Sequence, residues 1–242
     1  MAADAPGPDP SPDRSEAHDA ADREAESLTD AQRAVRAQLL ATEHWSLLAS
    51  RSTTQSEVLT RIAILLTLVS AGLVTLGVLG NATGFRGWFG IAALGVLFLL
   101  VLLGFVTQLR VLNAATDDLA YVLAMNRLRG AYLDLDPGLE RYFLTGTADD
   151  FDGVARTYYP FADRDRTQVM GSSMMIVVIV DTALSGLFAG ALVSSITTSV
   201  GWSVGVGVAV AVLVFGGSIA QGYRSYRHVQ RVHVPLRGSR AG

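Results

Sequence analysis

The chain contains no cysteine and no lysine. The first absence excludes disulfides, thiolate metal sites and a cysteine nucleophile. The second excludes Schiff-base catalysis and a P-loop lysine. All 19 basic residues are therefore arginine, and only 17% of the 242 residues are charged. Histidine is sparse: His18, His44, His228 and His233 are scattered along the chain. Glu43-His44 does not extend into a metal-binding helix pattern, and His228 and His233 have poor ligand spacing. No metal site and no cofactor is expected.

What is abundant is apolar. Half of the residues are hydrophobic, and they concentrate in four blocks, as in membrane proteins. A helix needs roughly 20 apolar residues to cross about 30 Å of hydrocarbon. Residues 58–80, 88–108, 172–195 and 202–220 meet that length, the third block interrupted by Asp181. None of the seven prolines lies in a block. The first block follows a long polar region and lacks a small-residue cleavage site, so an anchor is expected there rather than a signal peptide. The expected fold class is an all-α membrane protein with four transmembrane helices.

Arginine placement sets the expected orientation. The connections 81–87 and 196–201 hold one arginine between them, Arg86. The other 18 fall before or at the edge of the first block, in 109–171, or in the tail. Positive charge favours the cytoplasmic side. Both termini and the middle loop are thus expected inside, with Trp88 and Trp202 at the outer interface as belt aromatics.

Charge also divides the polar parts. Residues 1–30 carry nine acids against Arg14 and Arg23. Residues 1–27, almost devoid of large apolar side chains, are expected to be a disordered acidic tail. Residues 28–57 read as a cytoplasmic helix, with Thr29 and Gln32 as its capping box. Val35, Leu39, Leu40, Trp45, Leu47 and Leu48 would form its apolar side. The second span is expected to run on to about Tyr132, with Leu112, Ala115, Leu119, Val122, Leu123 and Met125 at helical spacing. Two such extensions would pair antiparallel as a short coiled coil, with Asn126 in the seam. Asp136-Pro137 starts a short helix over 138–144. Residues 109–171 thus form a cytoplasmic helical loop region, and 221–242 a basic cytoplasmic tail with five arginines and no acid.

Candidate chemistry is thin. Asp149, Asp150, Asp152 and Gly153 invite a calcium loop, but Ala148 and Tyr159 occupy positions where ligands belong, so an acidic turn is expected. Gly205-Val206-Gly207 lacks the third glycine and the preceding strand of a dinucleotide fingerprint. Helix packing explains it better. Gly201 and Gly205 form a GxxxG, Gly207 extends it toward Ala211, and Gly186 and Gly190 form a second in the third span. These faces are compatible with a homo-oligomer. Asn81-Ala82-Thr83 is a glycosylation sequon, meaningful only in a secretory pathway.

Asp181 has the most functional leverage, because a carboxylate near mid-bilayer is expensive. Thr67 and Ser70 of the first span lie at similar depth, and the three residues form a possible intramembrane polar site. The alternatives are a proton- or ion-linked site and a neutral Asp acting as interhelical glue. Arg224, Arg227 and Arg231 share one helical side and would meet anionic lipid headgroups. Membrane lipids are thus the expected contacts. Nucleic acid is not, since the other cytoplasmic parts are acidic. No protein partner is legible.

The strings Glu43-His44-Trp45-Ser46-Leu47-Leu48-Ala49-Ser50-Arg51-Ser52 and Met125-Asn126-Arg127-Leu128-Arg129-Gly130-Ala131-Tyr132-Leu133, followed by residues 139–144 and Asp149-Asp150, resemble a group of uncharacterised four-span membrane proteins of actinobacteria. The resemblance covers about residues 35–220. It implies a bacterial plasma membrane and the same topology, and carries no activity. The expected function is a non-enzymatic scaffold or regulatory module with a cytoplasmic helical platform. The alternative is a channel, transporter or pore-forming effector using Asp181. An enzyme is not expected, because no clustered acid–base or nucleophilic set can be assembled.

Overall fold

The computed structural model of the protein describes residues 29–161 and 171–239. The acidic tail expected over 1–27 lies outside the described residues. The described part holds five α-helices, α1 Asp30–Thr83, α2 Phe89–Leu135, α3 Phe151–Tyr158, α4 Ser173–Ile196 and α5 Val200–Val232, and one 3-10 helix, Pro137–Tyr142. It holds no strand. Four of these, α1, α2, α4 and α5, are long and apolar enough to cross a membrane.

α1 begins as the sequence expects. The Thr29 hydroxyl accepts the Gln32 amide, and the Gln32 side chain accepts the Thr29 amide in return. The helix then runs unbroken for 54 residues, about 81 Å at roughly 1.5 Å per residue. The polar stretch around Thr53 and Ser56 does not interrupt it. Both hydroxyls donate to carbonyls one turn back, which satisfies them without leaving the helix. α1 ends on Gly84, whose φ of 59° closes the helix through the left-handed region.

The turn to α2 is tight. Phe85 also has positive φ, and its ring sits against Gly80, where a side chain would collide with it. Phe85 then meets Phe89 edge to face, 5.2 Å between centroids. α2, 47 residues long, is the central element, packing against α1 on one side and α4 on the other. α4 in turn pairs with α5.

Apolar packing falls into three clusters. Leu97, Leu100 and Leu184 join α2 to α4. Val58, Ile62, Leu65, Val111, Ala114 and Val177 join α1, α2 and α4. Leu119, Val122, Leu123, Met125 and Val154 join α2 to α3, with Leu47 and Leu48 of α1 packed on them. The last cluster lies beyond the apolar stretches. The parts of α1 and α2 that continue past them therefore do pair, as their shared periodicity requires.

The detail of that pairing corrects the sequence reading. Val35, Leu39 and Trp45 are exposed, 72% for Trp45, and only Leu40, Leu47 and Leu48 turn inward. Asn126 is fully buried, and its hydrogen bonds do not go to α1. Its Oδ1 accepts from Thr157 of α3 at 2.8 Å and from Arg129 at 2.7 Å, so it fixes α3 instead. The helix expected after Pro137 is a 3-10 helix that stops at Tyr142, with Asp136 capping the Gly138 amide.

Candidate functional site

Outside the apolar stretches, α1, α2, α3 and the chain end build a polar platform. Its first joint is Asp118. Arg51 of α1 donates Nε to Asp118 Oδ1 at 2.6 Å and a second nitrogen to Oδ2 at 3.3 Å. Gln55 adds a bond at 3.0 Å, and the Tyr158 hydroxyl adds another at 2.6 Å. Burial pushes the Asp118 carboxyl up, but the bonds from Arg51, Tyr158 and Gln55 more than offset it and hold it below its ordinary value. The same burial and the adjacent carboxylate push the Tyr158 phenol up. Nearer the membrane, Arg110 grips Glu57 at 2.8 and 3.3 Å. Two residues of α2, Arg110 and Asp118, about two turns apart, thus each clamp α1.

The second joint is Asp149, and it is fully buried. Arg127 donates Nε to its Oδ2 at 2.9 Å, and a second guanidinium nitrogen forms an ion pair with the same oxygen at 2.7 Å. The Leu236 and Arg237 amides donate to its two oxygens at 3.0 and 2.7 Å. The Asp149 amide answers with a bond to the Arg237 carbonyl at 3.1 Å, and His233 Nε2 donates to the Asp149 carbonyl. Burial raises the Asp149 carboxyl, and the Leu236 and Arg237 amides with Arg127 bring it down past its ordinary value. Asp150 works alongside. It caps α3 through the Gly153 amide at 2.7 Å and accepts from the Ser239 amide and hydroxyl. Arg237 completes the joint by reaching Asp134 at 2.7 Å and the Gly130 carbonyl.

The acidic turn expected at 149–153 is therefore a receptor for the chain's own end. Among the described residues no group of three or more His, Asp or Glu is placed to hold a metal ion. The basic tail splits in two. Arg224, Arg227 and Arg231 lie on α5, which is helical to Val232, and all three are exposed on one side. Arg237 is spent on the platform. Sequence reasoning missed this docking, because nothing in the local pattern at 233–239 names Asp149, more than eighty residues away, as its partner.

Within the apolar stretches, Asp181 is 2% exposed and its Oδ1 has no hydrogen-bond partner. It faces α2 at Gly104, where a methyl group would collide with Oδ1. The expected neighbours are not there. Thr67 and Ser70 lie on the exposed side of α1 and give their hydroxyls to the Ala63 and Leu66 carbonyls at 2.9 and 2.8 Å. The buried polar groups nearest in sequence to this contact are others. Thr182 Oγ1 is buried without a partner, and Ser185 is buried one turn on. Gln108, one turn past Gly104 on α2, donates to Ser218 of α5 at 2.8 Å and keeps its own Oε1 buried and unpartnered.

The two glycine pairs part company. Gly186 and Gly190 of α4 lie against Gly207 and Ser203 of α5, so close that a methyl on Gly186 would stand 2.9 Å from the Gly207 carbonyl. Gly201 and Gly205 take no part in that crossing. Gly205 has nothing from another element within 4 Å of where a side chain would start, and both residues are exposed. Of the five glycines, only Gly186, Gly190 and Gly207 build the expected matching face, with Ser203 and Ala211 beside them. Trp88 occupies the N-cap position of α2 without a side-chain bond to it, and Trp202 stands in the first turn of α5, both exposed.

Comparison with protein-family models, curated proteins and solved structures yields no match.

Proposed function

We propose that the protein is a non-enzymatic scaffold or regulatory module of a bacterial plasma membrane, with both chain ends in the cytoplasm. Four helices able to cross a membrane support a multi-pass arrangement. The arginine distribution supports the orientation. In this reading the extensions of α1 and α2, with α3 and the docked tail, form a cytoplasmic platform. Its carboxylates are saturated by arginines and amides, which suits a structural role better than acid–base work. The observation that carries the reading is the outer side of α1. Val35, Leu39 and Trp45 stay exposed on a helix whose opposite side is packed. Exposed large apolar side chains grouped outside a membrane favour a binding surface.

A photo-cross-linking residue at position 45, 39 or 35 in living cells tests this. Discrete adducts that vanish with Leu39→Asp support the platform as a docking surface. No adduct at any of the three positions contradicts it.

A second reading has its own observation, the buried and unpartnered Asp181 Oδ1. It makes the bundle a channel or transporter with a proton- or ion-linked carboxyl. Proteoliposome flux abolished by Asp181→Asn supports it. No flux, or flux indifferent to the substitution, removes it.

A further inference from the structure

Where α2, α4 and α5 converge at the start of α4, they enclose a cavity of about 360 Å³. Leu112 and Leu119 of α2, Met174 and Val178 of α4, and Ile219 and Val229 of α5 line it. Among the described residues no charged side chain does. The volume falls in the range of roughly 300–1,000 Å³ typical of small-molecule sites. We propose that this cavity holds one acyl chain of an anionic phospholipid, with its headgroup at Tyr223 and Arg227.

Three observations point to that occupant. First, the cavity lies at the depth where lipid meets water. α4 begins at Ser173, and on α5 the lining runs from the apolar Ile219 through the arginine-bearing turn at Gly222 and Ser225 to Val229, so the cavity straddles the end of the apolar stretch. Ile176, Ile219 and Tyr223 around it are exposed, so the lipid-facing surface continues into the opening. Second, the polar groups are few and sit at that same turn. Thr116 and Ser225 pair their hydroxyls at 3.3 Å, Ser172, Tyr223 and Tyr226 are the other polar residues of the wall, and the remaining lining is apolar. Third, a cation stands at the cavity's polar turn. The Arg227 guanidinium lies 4.6 Å over the Tyr223 ring, which lines the cavity. A cation held on an aromatic face at a membrane surface suits a phosphodiester.

The local sequence keeps the space open. A side chain on Gly222 would begin 3.1 Å from the Met174 terminal methyl and 3.8 Å from Leu112. Met174 and Met175 supply flexible walls that adapt to a chain without a fixed shape. An apolar cavity gains nothing from water, since water there would lack polar partners. A methylene chain is what its walls can solvate.

The inference rests on the membrane-spanning reading and not on the scaffold role. Full-length protein is reconstituted in nanodiscs of equal parts phosphatidylglycerol and phosphatidylethanolamine, then released for native mass spectrometry. Incorporation of helical protein into the discs reports the membrane reading separately. The expected result is one phosphatidylglycerol retained after bulk lipid is stripped. Gly222→Leu and Ala115→Trp, which fill the cavity from different helices, should each lower retention at least about tenfold while still incorporating. Arg227→Gln should keep the adduct but cut the preference for the anionic lipid by roughly fivefold. Retention unchanged by both filling variants, equal retention of the two lipids, or no retained lipid in incorporated wild type overturns the proposal.

Discussion

Gly104 and Asp181 face each other so closely that the first methyl of any larger residue at 104 would strike Asp181 Oδ1. The glycine is there because the carboxyl needs its space. Gly104→Ala should therefore destabilise the bundle by about 1–3 kcal/mol, the usual cost of overpacking. In an Asp181→Ala background the same change should reverse sign. The clash is gone, and alanine is favoured over glycine in a helix by about 0.8–1.0 kcal/mol. Unfolding in detergent across this double-mutant cycle measures the coupling. Equal effects of Gly104→Ala in both backgrounds would show that the two residues do not touch.

The docked tail yields a prediction about charge. Asp149→Ala removes the acceptor of Arg127 and of two backbone amides. Its local cost should be about 3 kcal/mol, the low end for breaking a buried ionic network, because the Arg127 side chain is 46% exposed. Hydrogen exchange at Leu236 and Arg237 reads it. Both amides should lose protection in the variant, while the α4–α5 crossing keeps its own.

The same amides report pH. In the folded state the Asp149, Asp150 and Asp118 carboxyls sit below their ordinary values. A depressed folded value means that the stabilisation is present above the unfolded value and lost as pH falls through the folded one. Tail protection should thus be flat from neutral pH down to about pH 4, near the ordinary aspartate value, and collapse only below it. A loss centred well above the ordinary aspartate range would contradict the assignment of the latch to these carboxyls.

The glycines divide cleanly. Gly207→Leu places its side chain against the Gly186 carbonyl and should separate α4 from α5, at a cost of about 1–3 kcal/mol. Gly205→Leu meets no other element within 4 Å and should leave the monomer fold intact. Thermal unfolding of the two variants in the same detergent distinguishes them. A Gly205→Leu variant as unstable as Gly207→Leu would place the crossing elsewhere.

The long-range architecture was largely written in periodicity and composition. Four apolar blocks appear as four long helices, and the Thr29–Gln32 capping box is where its spacing puts it. What failed was the choice of partner. Thr67 and Ser70 match Asp181 in depth, but depth says nothing of azimuth, and both turn outward to bond their own helix. Asn126 was legible as buried, yet its partner came from a short helix and not from the neighbouring long one. The stripe on α1 was wider than the face α2 can cover, so Val35, Leu39 and Trp45 stay outside. Gly201-Gly205 and Gly186-Gly190 look alike as strings, and only three-dimensional packing separates a used face from an open one. Tail docking depends on contacts across more than eighty residues, for which a single sequence holds no signal.

Because the chain has no cysteine, introduced thiols are the only ones present. Single cysteines at Arg86, Thr198, Thr42 and Ser239 can be probed on intact cells with a membrane-impermeant maleimide. With four crossings and both ends inside, Arg86→Cys and Thr198→Cys label on intact cells, and Thr42→Cys and Ser239→Cys label only after permeabilisation. Labelling of Thr42→Cys or Ser239→Cys on intact cells, or of all four alike in protein recovered without detergent, contradicts it.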